Sequence, residues 1–124
     1  MTTITPFVYG SPAYDTSKVF YARLTGEIYK KDQLLNALYY LLWLPGYFGF
    51  NWDALDECLR DLSWIPEGKV VLVHDQLPKL SDDDLRIYLT VLRDSVLSWT
   101  GDEAHSFEVV FKKSDEEKIL QLLQ

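Results

Sequence analysis

The sequence predicts an α/β fold: a three-stranded, mostly parallel sheet packed with helices, plus an N-terminal extension and a C-terminal helix. Short runs rich in β-branched and aromatic residues alternate along the chain with longer segments whose leucines recur at helical spacing. Strands that are joined through helical crossovers run parallel, with right-handed connections. The chain has 124 residues, which suits a single domain with a substantial core.

The first predicted strand covers residues 18–24, where valine, phenylalanine and tyrosine stand together and Gly26 follows. A helix over 32–42 comes next. Asp32 is its predicted N-cap, and its leucines repeat at helical spacing. Pro45 ends this helix and opens an aromatic loop.

Asn51 is predicted to cap a second helix over residues 52–62. The short, continuously apolar run 69–73 follows, bounded by turn-forming and polar residues. That pattern is typical of a strand buried on both faces, as in a parallel sheet.

The last third of the chain predicts a helix, a strand and a closing helix. Ser81 precedes three aspartates and an apolar repeat that continues to about residue 97. Residues 107–111 form the third predicted strand. Ser114 and Glu117 have capping-box spacing at the start of a C-terminal helix over 114–123.

The N-terminal extension, residues 1–17, shows no clear period. Its apolar run 7–9 predicts either a short strand or an apolar clasp on the main body. The domain prediction is therefore one unit over 1–124, with a core over 18–112 between this extension and the closing helix.

Charge and cysteine content narrow the function classes. The formal net charge is −7, which disfavours nucleic acid and anionic membranes as partners and favours basic proteins, although it is also consistent with a role in solubility alone. Cys58 is the single cysteine, so no intramolecular disulfide can form, as is usual in a reducing compartment. No signal peptide or membrane-spanning run is visible, and we expect a soluble cytoplasmic protein.

No motif in the sequence indicates catalysis. There is no phosphate-binding glycine loop, and His74 and His105 lack a partner at metal-ligand spacing, so we expect no cofactor and no metal. His74 ends a predicted strand, where α/β proteins often place sites, and this leaves a small enzyme as an alternative. Cys58 has acidic neighbours, which raise the pKa of a thiol, so we interpret it as a packing residue and not a nucleophile.

The predicted second helix carries an unusual concentration of acids. Its apolar stripe consists of Leu55, Cys58, Leu59 and Leu62. The carboxylates of Asp53, Asp56 and Glu57 crowd the other face, where like charges repel. Asp53 is favoured by the helix dipole and Asp56 can pair with Arg60, but Glu57 has only Asp61 at its i+4 position. Solvated acids in this arrangement favour a partner-binding surface over a reaction centre.

The run from Leu44 to Leu59 reads Leu-Pro-x-Tyr-aromatic-Gly-x-Asn-x-Asp-Ala-Leu-x-acid-Cys-Leu. It resembles the signature of the barstar family, intracellular inhibitors of the bacterial ribonuclease barnase. The run 91–95 also resembles that family's late helix, and the resemblance covers residues 18–112. It implies a three-stranded parallel sheet with helices between the strands, no enzymatic activity, and acids that occupy the phosphate sites of a ribonuclease.

The resemblance also implies roles for individual residues. Tyr47 matches a tyrosine that packs on the catalytic histidine of the enzyme. Glu57 stands where the family has a central aspartate, and Asp56 stands where it has a tryptophan. The expected partner-binding residues are Tyr47, Gly49, Asn51, Asp53, Asp56, Glu57 and Asp94. Of these, Asp56 is the one whose role the resemblance leaves open.

The leading hypothesis is an inhibitor, or immunity protein, of a basic extracellular-type ribonuclease or nuclease toxin, monomeric when free. The alternative is a protein-binding module on the same scaffold whose partner is not a ribonuclease.

Overall fold

The computed structural model describes residues 6–15, 17–99 and 106–124, and this part of the chain holds a parallel sheet and four α-helices. A short 3₁₀ turn, Lys113–Asp115, precedes the last helix. The elements are β1 (Val8–Tyr9), β2 (Val19–Leu24), α1 (Lys31–Leu41), α2 (Trp52–Asp61), β3 (Lys69–His74), α3 (Asp82–Ser98), β4 (Ser106–Phe111) and α4 (Glu116–Leu122).

The sheet confirms the predicted α/β class and parallel pairing, and it adds one strand. Its order is β1-β4-β3-β2, and every pair is parallel. The three predicted strands form its body, and the run 7–9 supplies β1, so the short-strand alternative is the right one. β1 has only two residues, which is too few for a strand period to be visible in a sequence.

One face of the sheet forms the main core. Ala22, Leu72 and Val109 are cross-strand neighbours on that face, and all are buried in a cluster with the leucines of the helices. Successive residues of a strand point to opposite faces, so Val71 and Val110 lie on the second face. Both are also buried, which means that this face is covered as well.

The N-terminal segment helps to cover this second face of the sheet. The Tyr14 hydroxyl donates a hydrogen bond to Glu108, and its ring lies 6.2 Å from the ring of Tyr21. Lys69 Nζ lies 5.4 Å from the centre of the Tyr14 ring. The extension is therefore packed onto the sheet through β1 and Tyr14.

Two predicted N-caps are confirmed. Asn51 Oδ1 accepts a hydrogen bond from the backbone N–H of Ala54 at 2.8 Å, and Ser81 Oγ accepts one from Asp84 at 3.2 Å. Each cap satisfies an N–H group that has no partner within its own helix.

The other two caps were predicted wrongly. α1 begins at Lys31, so Asp32 lies in the first helical turn and does not cap the helix. Gln33 Oε1 instead accepts from the backbone N–H of Tyr29 at 2.8 Å. Ser114 lies inside the 3₁₀ turn and makes no side-chain cap, because the chain tightens before α4 begins. No helix in the described ranges is long and apolar enough to cross a membrane.

Candidate functional site

The outer face of α2 is the candidate site. Leu55, Cys58 and Leu59 are buried and fix the inner face of the helix. Asp53, Glu57 and Asp61 are spaced four residues apart, so they form one line along the helix, and all three are exposed. We call these three residues the acidic ridge.

Asp61 was not among the predicted site residues. The sequence contained the signal for it, namely its i+4 spacing from Glu57, and the predicted helix extended one residue further, to Leu62. In the structure α2 ends at Asp61, and Leu62 takes a left-handed backbone with φ 53°. The ridge therefore runs to the very end of α2.

The acids of α2 differ in whether they are neutralised. Asp56 Oδ1 lies 2.9 Å from Arg60 Nε, which confirms the predicted i,i+4 pair. Within residues 6–15, 17–99 and 106–124, no Lys, Arg or His forms an ion pair with any residue of the acidic ridge. Three negative charges on one exposed line are thus left without a cation in the described chain, while Asp56 has one.

The loop before α2 is anchored by a buried aromatic residue. Phe48 is buried, and its ring lies 4.8 Å from Phe50 and stacks on Tyr39 at 6.2 Å. Its backbone N–H donates to the Pro45 carbonyl at 2.9 Å. Tyr47 directly precedes Phe48, and 74% of its surface is exposed. The loop therefore holds Tyr47 outward on a fixed backbone.

Tyr47 lies beside the acidic ridge. Desolvation raises the pKa of its phenol, and the negative charges of Asp61 and Glu57 raise it further. Burial, together with Asp61 and Glu57, also raises the pKa of the Cys58 thiol. Cys58 is therefore a protonated, buried packing residue, as predicted, and Tyr47 is a neutral hydroxyl next to two carboxylates.

Asn51 and Gly49 form the junction between loop and helix. The Asn51 side chain caps α2 through Oδ1, and its Nδ2 donates to the Gly49 carbonyl at 3.3 Å. A Cβ at position 49 would lie 3.1 Å from that Nδ2, which is closer than side chains normally approach. Both residues are also exposed, so a partner could still contact them. Their contact with a partner stays a prediction.

Asp94 belongs to α3, which packs along α2. The rings of Trp52 and Tyr88 lie 6.1 Å apart and fix the two helices side by side. Asp94 is half-buried, and Arg93 Nε lies 3.1 Å from its Oδ1. It is thus partly neutralised within its own helix, and its role in binding stays a prediction.

His74 does not have the surroundings of a catalytic residue. It is buried, stacked on Phe111 at 4.2 Å, and both of its ring nitrogens are bonded. Nδ1 lies 3.1 Å from the Val110 carbonyl and Nε2 lies 2.7 Å from the Tyr88 hydroxyl. Burial lowers the pKa of His74 to about 4, so the ring is neutral, with Nδ1–H as donor and Nε2 as acceptor. His105 lies outside the described residues.

In the described part of the chain, no three His, Cys, Asp or Glu side chains are grouped so that they could hold a metal ion. A small cavity of about 290 Å³ lies at the carboxyl ends of the strands, on the second face of the sheet, and its lining includes Arg23, Asp75 and Lys112. Arg23 and Asp75 are already paired at 2.6 Å. The acidic ridge lies outside this cavity.

The chain was compared with models of known protein families. The model described as Barstar, barnase inhibitor, matches residues 18–112. That range contains α1, α2, α3 and the three long strands, and it leaves out β1 and α4. No curated protein and no solved structure matched the chain.

Proposed function

The chain belongs to the barstar family of barnase inhibitors, and from that premise we propose that it is a cytoplasmic inhibitor, or immunity protein, of a barnase-like bacterial ribonuclease. The observation that carries this proposal is the acidic ridge, because it combines exposure, a regular spacing and the absence of a cation partner in the described residues. A basic partner would supply the missing cations.

The ridge suits the chemistry of a ribonuclease site. An enzyme that binds RNA holds phosphates with Arg, Lys and His side chains, and it contacts several phosphates in a row. A line of fixed carboxylates presents negative charge in the same way and competes for the same cations. Such complementarity also speeds encounter between the two proteins, because opposite fields act over a distance.

The scaffold holds this charge in place before binding. Asn51 caps α2, and Phe48 anchors the loop that carries Tyr47, so little order has to be gained when a partner arrives. A surface organised in advance loses less entropy on association and binds more tightly. Glu57 lies in the middle of the ridge with Asp53 and Asp61 on either side, which makes it the residue most enclosed by a partner.

Asp56 and Asp94 contribute less in this proposal. Each already has an arginine beside it, at 2.9 Å and 3.1 Å respectively. A carboxylate that is paired with an arginine attracts a basic partner less strongly than an unpaired one does. Breaking that pair on binding also costs energy. In this proposal Asp56 and Asp94 lie at the edge of the interface, whereas the acidic ridge enters the active site of the ribonuclease.

The test is a titration of the purified protein into a panel of barnase-like ribonucleases, including any nuclease encoded beside its gene. We expect stoichiometric loss of RNA cleavage, and association that slows as salt is raised. Glu57→Ala should weaken the complex by at least about 3 kcal/mol, because it leaves partner cations buried without a counter-charge. Asp115→Ala serves as the control and should have little effect, because Asp115 lies in the 3₁₀ turn before α4 and not in the ridge.

Two outcomes would contradict the proposal. If no ribonuclease of the panel binds and a pull-down returns only other proteins, the chain is a binding module for a different partner. If Glu57→Ala and Asp115→Ala weaken a complex equally, the interface lies away from the ridge.

A further inference from the structure

Three aromatic side chains at the end of α1 and in the loop that leads to α2 are exposed. Tyr40 is 73%, Trp43 63% and Phe50 42% exposed. We call them the aromatic surface. Large apolar side chains are individually common on protein surfaces, but a group of them next to a binding site is typical of interfaces, where aromatic residues are enriched.

Two residues of the aromatic surface, Tyr40 and Phe50, are joined through Tyr39, and Phe50 leads into the acidic ridge along the chain. The ring of Tyr39 lies 5.3 Å from that of Tyr40 and 5.2 Å from that of Phe50, so it joins the end of α1 to the loop. Phe50 directly precedes the cap of α2, and the ridge begins at Asp53. A partner that covers the start of the ridge and extends along this loop meets Phe50 and, through Tyr39, Tyr40.

The backbone at two of these positions disfavours a large side chain. Trp43 and Phe50 both have φ 52°, in the left-handed region that costs a non-glycine residue energy. Leu62 has a similar φ of 53°, but its side chain is completely buried, and the packing offsets the strain. Trp43 packs on Phe20 at 5.1 Å and Phe50 on Phe48 at 4.8 Å, but both stay partly exposed, so packing offsets less of the strain than it does at Leu62. Folding alone accounts poorly for aromatic residues at both positions.

No cation of the described chain occupies the rings of the aromatic surface. Elsewhere the chain covers exposed or half-buried rings with its own lysines: Lys79 lies 5.3 Å from the ring centre of Tyr29, and Lys31 lies 5.5 Å from that of Trp52. Across the described residues, no lysine or arginine lies over Tyr40, Trp43 or Phe50. These exposed rings therefore have no cation from the described chain over them.

We infer that the aromatic surface extends the partner-binding site and receives arginine side chains that border the basic site of the partner. Arginine fits better than lysine, because its flat guanidinium stacks on an aromatic face and is weakly hydrated. This inference rests on the proposed function for the identity of the partner, but the chemistry it names is a guanidinium group over a ring. In this inference the acidic ridge speeds association with the partner, and the aromatic surface slows its dissociation.

The first experiment measures binding of Tyr40→Ala and Phe50→Gly to barnase and to the other ribonucleases of the panel by surface plasmon resonance. Tyr40 is too exposed for its loss to unfold the chain, and glycine relieves the backbone at position 50. We expect each variant to dissociate about tenfold faster or more, with an unchanged salt dependence of the association rate. Tyr29→Ala is the matched control, because Tyr29 is half exposed but its ring is covered by Lys79.

If a ribonuclease binds and Tyr40→Ala and Phe50→Gly dissociate no faster than Tyr29→Ala, this inference is overturned while the proposed function stands. A second experiment needs no ribonuclease: hexa-arginine and hexa-lysine peptides are titrated into the protein and followed by NMR. We expect the arginine peptide to shift the ring signals of Tyr40, Trp43 and Phe50 more than the lysine peptide does. Equal shifts, or shifts confined to α2, would overturn the inference even if no ribonuclease is found.

Discussion

His74 should make the stability of the fold depend on pH in a range where most carboxylates are still ionised. Its ring is buried between Phe111 and Tyr88, and both nitrogens are bonded in the neutral form. A proton on Nε2 would meet the Tyr88 hydroxyl, which now donates to that nitrogen, and would place a charge in the core. Burial is the main reason why the pKa of His74 falls from 6.5 to about 4.

The direction and size of this pH effect follow from the linkage between proton binding and folding. Between pH 6.5 and pH 4 the unfolded chain binds a proton at residue 74 and the folded chain does not, so stability falls as the pH falls. Each pKa unit corresponds to about 1.4 kcal/mol, and the full contribution is therefore about 3 kcal/mol. It is complete above pH 6.5, and about 2 kcal/mol of it is lost by pH 5. Domains are typically stable by about 5–15 kcal/mol, so this loss is a large part of the free energy of unfolding.

The assay is urea unfolding of the wild type and of His74→Gln at several pH values from 7.5 to 4.5. Glutamine keeps polar atoms in the pocket but does not titrate, and carboxylates affect both proteins alike. We expect the free energy of unfolding of the wild type to fall by about 2 kcal/mol more than that of the variant between pH 7.5 and pH 5. Parallel curves for the two proteins would refute the reasoning, because His74 would then bind its proton equally in the folded and unfolded states.

Three further outcomes are expected. Arg60→Ala frees Asp56 and should raise the association rate with a basic ribonuclease severalfold at low salt, an effect that stopped-flow measurements should show fading as salt increases. Asn51→Ala should lower the free energy of unfolding by about 1 kcal/mol in urea, because Ala54 loses its cap, whereas Asn36→Ala on the exposed side of α1 should not. Cys58 should resist iodoacetamide in the folded protein at neutral pH and react once urea unfolds it, and fast alkylation of the native chain would contradict its burial.

The elements that the sequence predicted well are those with a repeated pattern. The leucines of α1 and the apolar run of β3 extend over enough residues for helical and strand periods to differ, and both elements are present within a residue or two of the predicted bounds. The buried stripe of α2 was predictable for the same reason. β1 was only one of two alternatives, because its place is decided by pairing with β4, at the other end of the chain.

Capping and surface detail were less predictable. Asp32 is a better N-cap by residue preference than Lys30, but Gln33 bonds the backbone of Tyr29 and Lys30 and starts the helix earlier. The acids of α2 could be placed on one face from their spacing alone. Which of them is neutralised depends on the reach of Arg60, and which rings remain uncovered depends on where lysines lie in three dimensions.

The pairing of β1 with β4 has a consequence for the order of folding. Val8 leaves the ribosome long before its partner, Val110, because most of the domain lies between them in the sequence. Closing so long a loop comes late and costs entropy, so we expect β2, β3 and β4 to assemble first and β1 to be added to their finished edge. An N-terminal truncation would then speed unfolding and leave the refolding rate almost unchanged. In the newly made chain, the edge of β4 would be briefly open to a strand from another molecule.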